Sequence, residues 1–547
     1  MSEAIPIIVK SILTKRGMAE ADMTRFLAPD FARDLHDPFL MTDMKAAVER
    51  ILRAAERAEK VVIYGDYDID GLTASVVMSD TLRGLGLDPE MYIPDRFDEG
   101  YGLNADAIRR MAEGGVNLIV SVDCGVTAVA EAELALELGV DLIITDHHSV
   151  PEVIPRAVAV VNPKRAGDLY PFKDLCGAGV AFKVAQAIQR ESGKPALGRE
   201  KWLLDMVALG TVGDVVGLVD ENRALVKYGL MVMTKTRRPG LRALAEAAGV
   251  DIGKITSTQI GFNLGPRLNA AGRMGQADLA LELLSTEDVA RAGRIATDLE
   301  ELNLKRRADQ KAILDQADAM AAELADDPVL VLADPAWSHG IVGIVASQLA
   351  DKWGKPVFVG QVMGDKVKGS ARSRDNYDMA AAFRANADLL ERFGGHFHAA
   401  GATFAVENLE AFRDGLIGYY FENETEAVDE QIVADVVAED LSALNWDVFE
   451  QLEMMQPFGV GNAKPIFELK NTKVIQYRKM GKEQEHLKIR VQDNNGRTIE
   501  AVGFGFGSVA DSVDGQEVII AGELNKNVFR GIISLEIGIG KISFEQD

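Results

Sequence analysis

The fold is decided by VVIYGDYDIDGLTAS, residues 61–75. Val61 to Tyr64 are apolar and read as a short buried strand of a parallel sheet. Gly65 breaks the strand, Asp66, Asp68 and Asp70 follow at alternate positions, and Gly71 closes the turn. From Leu72 to Leu82 the spacing is helical. Three carboxylates therefore stand at the C-terminal edge of a strand, where open α/β sheets bind their ligands. Like charges this close repel one another and call for a positive partner. Hard carboxylate oxygens suit Mg²⁺ or Mn²⁺. The bland account is an Asp-rich turn capping a helix, but one Asp would suffice for that.

The same pattern recurs. Strand candidates 61–64, 91–93, 118–122, 142–145 and 157–161 alternate with helical segments, which predicts a mostly parallel sheet. Asp123 ends one apolar strand in LIVSVDCGV, and Asp146-His147-His148 end another in DLIITDHHSV. Asp214 interrupts the apolar run VALGTVGDVVGL, where an unpaired carboxylate would be costly. Each has a structural reading alone: a helix cap, a hydrogen-bonded histidine, an acid satisfied by backbone donors. A parallel sheet, however, aligns its strand ends on one edge. Asp66, Asp68, Asp70, Asp123, His147 and Asp214, with His148 beside them, are enough for two divalent cations sharing a carboxylate. Asp146 is expected to orient an imidazole, and Cys124 reads better as a small core residue than as a ligand.

Two such ions would activate a water and clamp a phosphodiester, and an enzyme of that kind also needs positive side chains to hold its substrate phosphate. Glycine-flanked candidates are Arg96 and Tyr101 in PDRFDEGYGL, and Arg267 and Arg273 in GPRLNAAGRMG. KGSARSR adds Lys368, Ser370, Arg372 and Ser373, and RFGGHFHAAG adds Gly394, Gly395, His396 and His398. Any one of these could equally be a solvated loop. Phe97 and Tyr101 could stack bases or fill the core.

The 547 residues predict several domains. Residues 1–285 read as a helical lead-in and an α/β catalytic domain, and 286–327 as a long connecting helix that lacks Pro. Residues 328–425 read as a second α/β domain. Residues 426–547, after an acidic stretch from Glu424 to Asp440, read as an OB-like antiparallel β-barrel. Its strand candidates are LKIRVQ, TIEAVGF, EVIIAGEL and VFRGIISLEIG. Apolar content of 47% argues against wholesale disorder, and no apolar run nears the ~20 residues of a membrane span. Two cysteines and no signal-peptide pattern point to a reducing, cytoplasmic setting. The net charge of −25 disfavours non-specific nucleic-acid binding, unless basic groups gather in one groove.

DYDIDG, VDCG, TDHH and GTVGDVV, in that order, resemble the four motifs of the DHH phosphoesterase superfamily. GSARS and GGHFHAAG are similar to its associated substrate domain. GPRLNAAGRMG, QPFGVGNAKPIF and the opening residues 16–51 resemble the superfamily's single-stranded-DNA-specific exonucleases. The resemblance implies 5′→3′ release of 5′-mononucleotides from single-stranded DNA in repair and recombination. It implies two ions, Mn²⁺ or Mg²⁺, on Asp68, Asp70, Asp123, His147 and Asp214, with Asp66, Asp146 and His148 supporting. It places Arg273, Ser370 and Arg372 on the terminal phosphate, and Arg96 and Tyr101 near the first nucleotides. Expected partners are single-strand-binding protein and a recombination helicase, with a monomeric chain and no membrane. Three departures stand out: Ile69 and Gly213 where the family usually has Ala, and NKNVFRG without the expected tryptophan. The alternatives are a shorter-chain relative such as an oligoribonuclease, cyclic-dinucleotide phosphodiesterase or manganese pyrophosphatase, and an inactive replication scaffold on the same fold.

Overall fold

A computed structural model describes residues 5–373, 376–423 and 433–544. The first sheet comprises β1 (Val61–Tyr64), β2 (Glu90–Tyr92), β3 (Leu118–Val122), β4 (Asp141–Thr145) and β5 (Ala159–Val161), all parallel, in the order β2-β1-β3-β4-β5. β1 and β3 are buried along their whole length, as expected of strands covered on both faces. The helices Ile69–Gly84, Gly177–Ser192 and Leu204–Gly213 cover one face and Ala105–Glu113 and Val129–Glu137 the other. Progress along the sheet reverses at β1, so β1 and β3 flank the switch point where such folds bind ligands.

The helix Val289–Glu323 runs 35 residues, capped by the Asp288 carboxylate, which accepts from Ala290 and Arg291 N–H. Beyond it lies a mixed sheet of β6 (Leu330–Asp334), β7 (Val357–Met363), β8 (Lys366–Arg372), β9 (Arg392–His396) and β10 (Ala399–Ala405), in the order β6-β7-β8-β10-β9. Only β6 and β7 are parallel. KGSAR and the glycines of RFGGHFHAAG, for which a solvated loop was one reading, lie largely in strands. There Gly369 serves packing: a Cβ on it would fall 2.4 Å from the Phe358 ring.

The C-terminal sheet contains β11 (Val436–Ala438), β12 (Ile466–Met480), β13 (His486–Asp493), β14 (Thr498–Gly503), β15 (Glu517–Phe529) and β16 (Ile532–Phe544). Pairing of β12 with β15 closes β12-β13-β14-β16-β15 into a barrel of OB topology. The pairing is mostly antiparallel, but β14 and β16 run parallel. Sequence reading missed β12, whose period is broken by register shifts against both neighbours. It also ran VFRGIISLEIG together, whereas Arg530 and Gly531, both at positive φ, turn the chain between β15 and β16. Of the acidic stretch Glu424–Asp440, residues 424–432 lie outside the described residues.

The lead-in divides. Helices Ile7–Lys15 and Glu20–Leu27 bury Val9, Ile12, Leu13 and Met23 in the barrel's core, whereas Met41, Met44 and Ile51 join the catalytic core. Their apolar stripe fits the barrel flank, and Arg16 bridges to Asp435 at 2.7 Å.

Candidate active site

The register of the first sheet brings the acids together. Tyr64 pairs with Ser121 and Val122 with Thr145, so residues 65–70, Asp123 and Asp146–His148 leave the same edge. Asp68 caps the helix Ile69–Gly84, accepting from Asp70 and Gly71 N–H at 2.9 and 3.2 Å. Asp70, fully buried, accepts from Gly177 and Ala178 N–H at the start of the next helix, whose dipole favours an anion there. Asp123 sits at φ 61°, and a Cβ on Gly177 would lie 2.5 Å from its own Cβ. Asp214 enters as the cap of the helix Leu204–Gly213.

His147 Nε2 lies 3.1 Å from Asp123, 3.7 Å from Asp70 and 3.7 Å from Asp214. The donor atoms form three overlapping groups: Asp66-Asp68-Asp123, Asp123-His147-His148 and Asp70-His147-Asp214. Asp123 and His147 belong to two groups each, so the three groups share one continuous lining. Asp66 lies within this lining, beside Asp68 and Asp123. Asp66 Oδ1, Asp123 Oδ1 and both nitrogens of His147 are buried without a hydrogen-bond partner. Such atoms are rare in a native interior, and a bound cation satisfies them. Burial, then neighbouring like charges, pushes the acids up: Asp66 and Asp123 well above the carboxylate range, and Asp214 to about 8. Burial pulls His147 down to about 4, which keeps it neutral and able to ligate. Burial would also lower His148, but the hydrogen bond and charge of Asp146, 2.7 Å from its Nδ1, carry it to about 9. The donors thus fit divalent cations, hard ones by their oxygen content.

GPRLNAAGRMG backs this cluster. Asn269 Oδ1 accepts from Ile69 N–H at 2.9 Å, and Gly272 packs so closely that a Cβ would lie 2.3 Å from the Tyr67 carbonyl. Arg267 binds the helix Val289–Glu323 through Glu300, so that candidate is structural.

Facing the cluster, a cleft of about 310 Å³ opens between the two lobes. Tyr67, Arg96 and Tyr101 line it from one side, and His339, Lys368, Ser370 and Arg392 from the other. The Tyr101 hydroxyl is 3.2 Å from His148 Nδ1, and Arg96 lies over the Tyr67 ring at 4.9 Å. Arg273 donates to the Gly340 carbonyl at 3.2 Å. Burial, then Arg96, Arg306 and Arg372 close by, lowers Arg273 to about 10. A Cβ on Gly343, at the start of the helix Val342–Trp353, would lie 3.4 Å from Ser370 Oγ and 3.5 Å from Arg372 Nη2. Ser370, Arg372 and Arg273 therefore converge on one helix N-terminus. Gly394, Gly395 and His396 are not among them; they lie on the exposed edge strand β9 and do not line the cleft. Ser373 is structural, its hydroxyl donating to the Tyr377 carbonyl, and His398 stacks edge-on with Phe397. Phe97 packs on His339 with ring centroids 4.7 Å apart, and Cys124 is a core residue. Sequence reasoning missed Asn269, Arg306, His339 and Arg392. The barrel carries a larger groove, about 1170 Å³, with Trp446 and Phe529 among its walls. Lys488, Arg490 and Arg497 there are ion-paired with Glu500 or Asp440.

A parallel sheet with acids and imidazoles at its switch point, under a smaller lobe that closes a basic cleft, defines a phosphoesterase of the DHH class. Family models agree: the DHH family N-terminal domain matches residues 60–211, the DHHA1 domain 326–420 and the RecJ OB domain 437–540. The chain is 40% identical to the single-stranded-DNA-specific exonuclease RecJ of Bacillus subtilis, over 95% of this chain and 66% of that protein. It is 32% identical to RecJ of Dickeya dadantii, over 98% of this chain and 96% of the relative. The crystal structure of Thermus thermophilus RecJ with Mn²⁺ superposes with a TM-score of 0.84 at 30% identity, covering 98% of this chain and 76% of that one. The same protein with Mg²⁺ gives 0.77 at 28% identity, covering 98% and 74%. The chain belongs to the RecJ family. No helix among the described residues is long and apolar enough to cross a membrane.

Proposed function

We propose that this chain is a metal-dependent exonuclease that removes 5′-mononucleotides from single-stranded DNA in the 5′→3′ direction. The observation that carries the reading is the set of orphaned buried donors on Asp66, Asp123 and His147, facing a cleft lined with arginine and lysine. Two cations, Mn²⁺ or Mg²⁺, would be held by Asp68, Asp70, Asp123, His147 and Asp214 with Asp66 beside them, and supply Lewis acidity and an activated water. Asp146 holds His148 protonated, with its ring towards Tyr101, where it can donate to a phosphate oxygen or to the leaving group. Arg273, Arg372 and Ser370, with the N-terminus of the helix Val342–Trp353, take the 5′-terminal phosphate. Arg96 holds the next phosphate, and Tyr101, half-exposed, offers a ring face to the first base. Fixing the 5′ end beside the cations makes release of one nucleotide per step the natural product. Roles in DNA repair and recombination, with single-strand-binding protein and a recombination helicase as partners, fit this substrate, and we propose a monomeric, cytoplasmic enzyme.

The test is a time course on a 3′-labelled, 5′-phosphorylated single strand with Mn²⁺, beside the same strand in a blunt duplex. Progressive shortening of the single strand alone is expected. Immediate release of the labelled end as a mononucleotide would reverse the polarity. Asp123→Ala, which removes the shared ligand, should abolish turnover while the fold survives; substantial residual hydrolysis would refute the two-ion assignment.

A further inference from the structure

QPFGVGNAKPIF, residues 456–467, takes no part in the site, yet its loop lies directly on the chain that follows Asp214. The Val460 carbonyl accepts from Leu218 N–H at 2.7 Å. The Phe458 carbonyl accepts from Ser257 Oγ at 2.7 Å. Arg223, 2% exposed, donates to the carbonyls of Met455, Gln456 and Pro457 and to that of Phe26. The loop is rigid in itself, since Asn462 Nδ2 donates to the Met455 and Pro457 carbonyls at 2.8 Å. It also sits close: a Cβ on Gly459 would lie 2.7 Å from Leu218 Cδ1, and one on Gly461 2.9 Å from Val219 Cγ1.

The other partner of this contact is a tense turn. Val215, next to Asp214, is β-branched and held at φ 61°, a conformation that persists only when its surroundings impose it. Asn222 Nδ2 restrains the turn from within, donating to the Gly217 carbonyl at 3.0 Å. Among the described residues no hydrogen bond holds the Asp214 carboxylate, and His147 Nε2 lies 3.7 Å from it, so the path of the backbone does most to set where it points. That path is fixed by Asn222 on one side and by the Val460 loop on the other.

We infer that the Pro457–Asn462 loop is a positioning element of the cation site: seated on Leu218 and Val219, it fixes the Asp214 turn and thereby the affinity of one of the two cations. The inference rests on the reading of Asp214 as a cation ligand. The coupling is reciprocal, so cation binding also tightens the seating of the loop.

Mn²⁺ titration of the full chain, wild type against Gly459→Val, tests it by counting sites and affinities. One site should weaken by about tenfold or more, the range for residues that orient a ligand, while the other stays unchanged. kcat on a dinucleotide should fall with KM unchanged. Adding Leu218→Ala, which removes the side chain that the new methyl groups strike, should restore the affinity. A folded Gly459→Val protein with wild-type Mn²⁺ affinities would overturn the inference, as would a defect confined to KM for long strands. If Gly459→Val does not fold, Ser257→Ala removes one bond to the loop and should weaken the same site severalfold; unchanged Mn²⁺ binding there also overturns it. A wild-type protein that binds no Mn²⁺ would instead bring down the cation-site reading itself.

Discussion

Ile69 and Gly213, the two positions at which the resemblance leads one to expect alanine, touch. A Cβ on Gly213 would lie 2.5 Å from Ile69 Cγ2 and 2.8 Å from its Cδ1. The larger side chain at the start of one helix is thus accommodated by the smaller residue at the end of another, one residue from Asp214. Gly213→Ala alone should destabilise the chain by about 1–3 kcal/mol, as overpacking does, and lower Mn²⁺ affinity. Ile69→Ala with Gly213→Ala should recover most of both losses; urea unfolding of the two variants checks this, and additive losses would refute the pairing. At this scale the acids were legible because they recur at strand ends, a pattern local in sequence. Arg306, His339 and Arg392 were not. Each comes from a different element beyond the first sheet, and no local spacing marks which arginine of a helix will face a cleft.

The elements themselves were legible where burial imposes one period. β1, β3 and the helix Val289–Glu323 fall within a few residues of their expected limits. The glycine-rich segments of the second lobe stayed undecided, because glycine at a loop and glycine under a Phe358 ring look alike in sequence. The link between the barrel-bound helices and the catalytic lobe carries its own lock. Asp34 accepts from Arg33 and Arg25 at 2.7 and 2.8 Å and from Asp30 N–H at 2.7 Å. The hydrogen bond from Arg33, above all, holds Asp34 down at about 2. A depressed acid stabilises the fold above its unfolded value, about 4, and that contribution is lost as the pH falls from about 4 to about 2. Asp34→Asn should therefore lower stability at neutral pH and flatten the acid limb in this window. An unchanged pH profile in urea titrations would refute the assignment.

Across the whole molecule the charge balance and the site pull in opposite directions. The chain carries −25, yet Arg96, Arg306 and Arg372 stand close enough to Arg273 to lower it. Affinity for single strands should depend on these few contacts: with about four phosphates engaged, log affinity against log salt should fall with a slope of about −3. A slope near zero would mean that stacking, not charge, holds the strand. Cations binding only the folded state must also raise its stability, by about 2.7 kcal/mol at a hundredfold excess over Kd. Melting with Mn²⁺ and then with a chelator should show that difference in the wild type and lose it in Asp123→Ala.

Helices Ile7–Lys15 and Glu20–Leu27 rest on a barrel whose strands come more than 400 residues later in the chain. During synthesis, Val9, Ile12, Leu13 and Met23 are made well before the barrel strands that cover them. Contacts so distant in sequence are among the last to form. A message cut short thus yields a chain with an open apolar stripe, fit for a protease, and without the loop that steadies Asp214. The seats of these helices and of the loop on Leu218 both wait for the barrel.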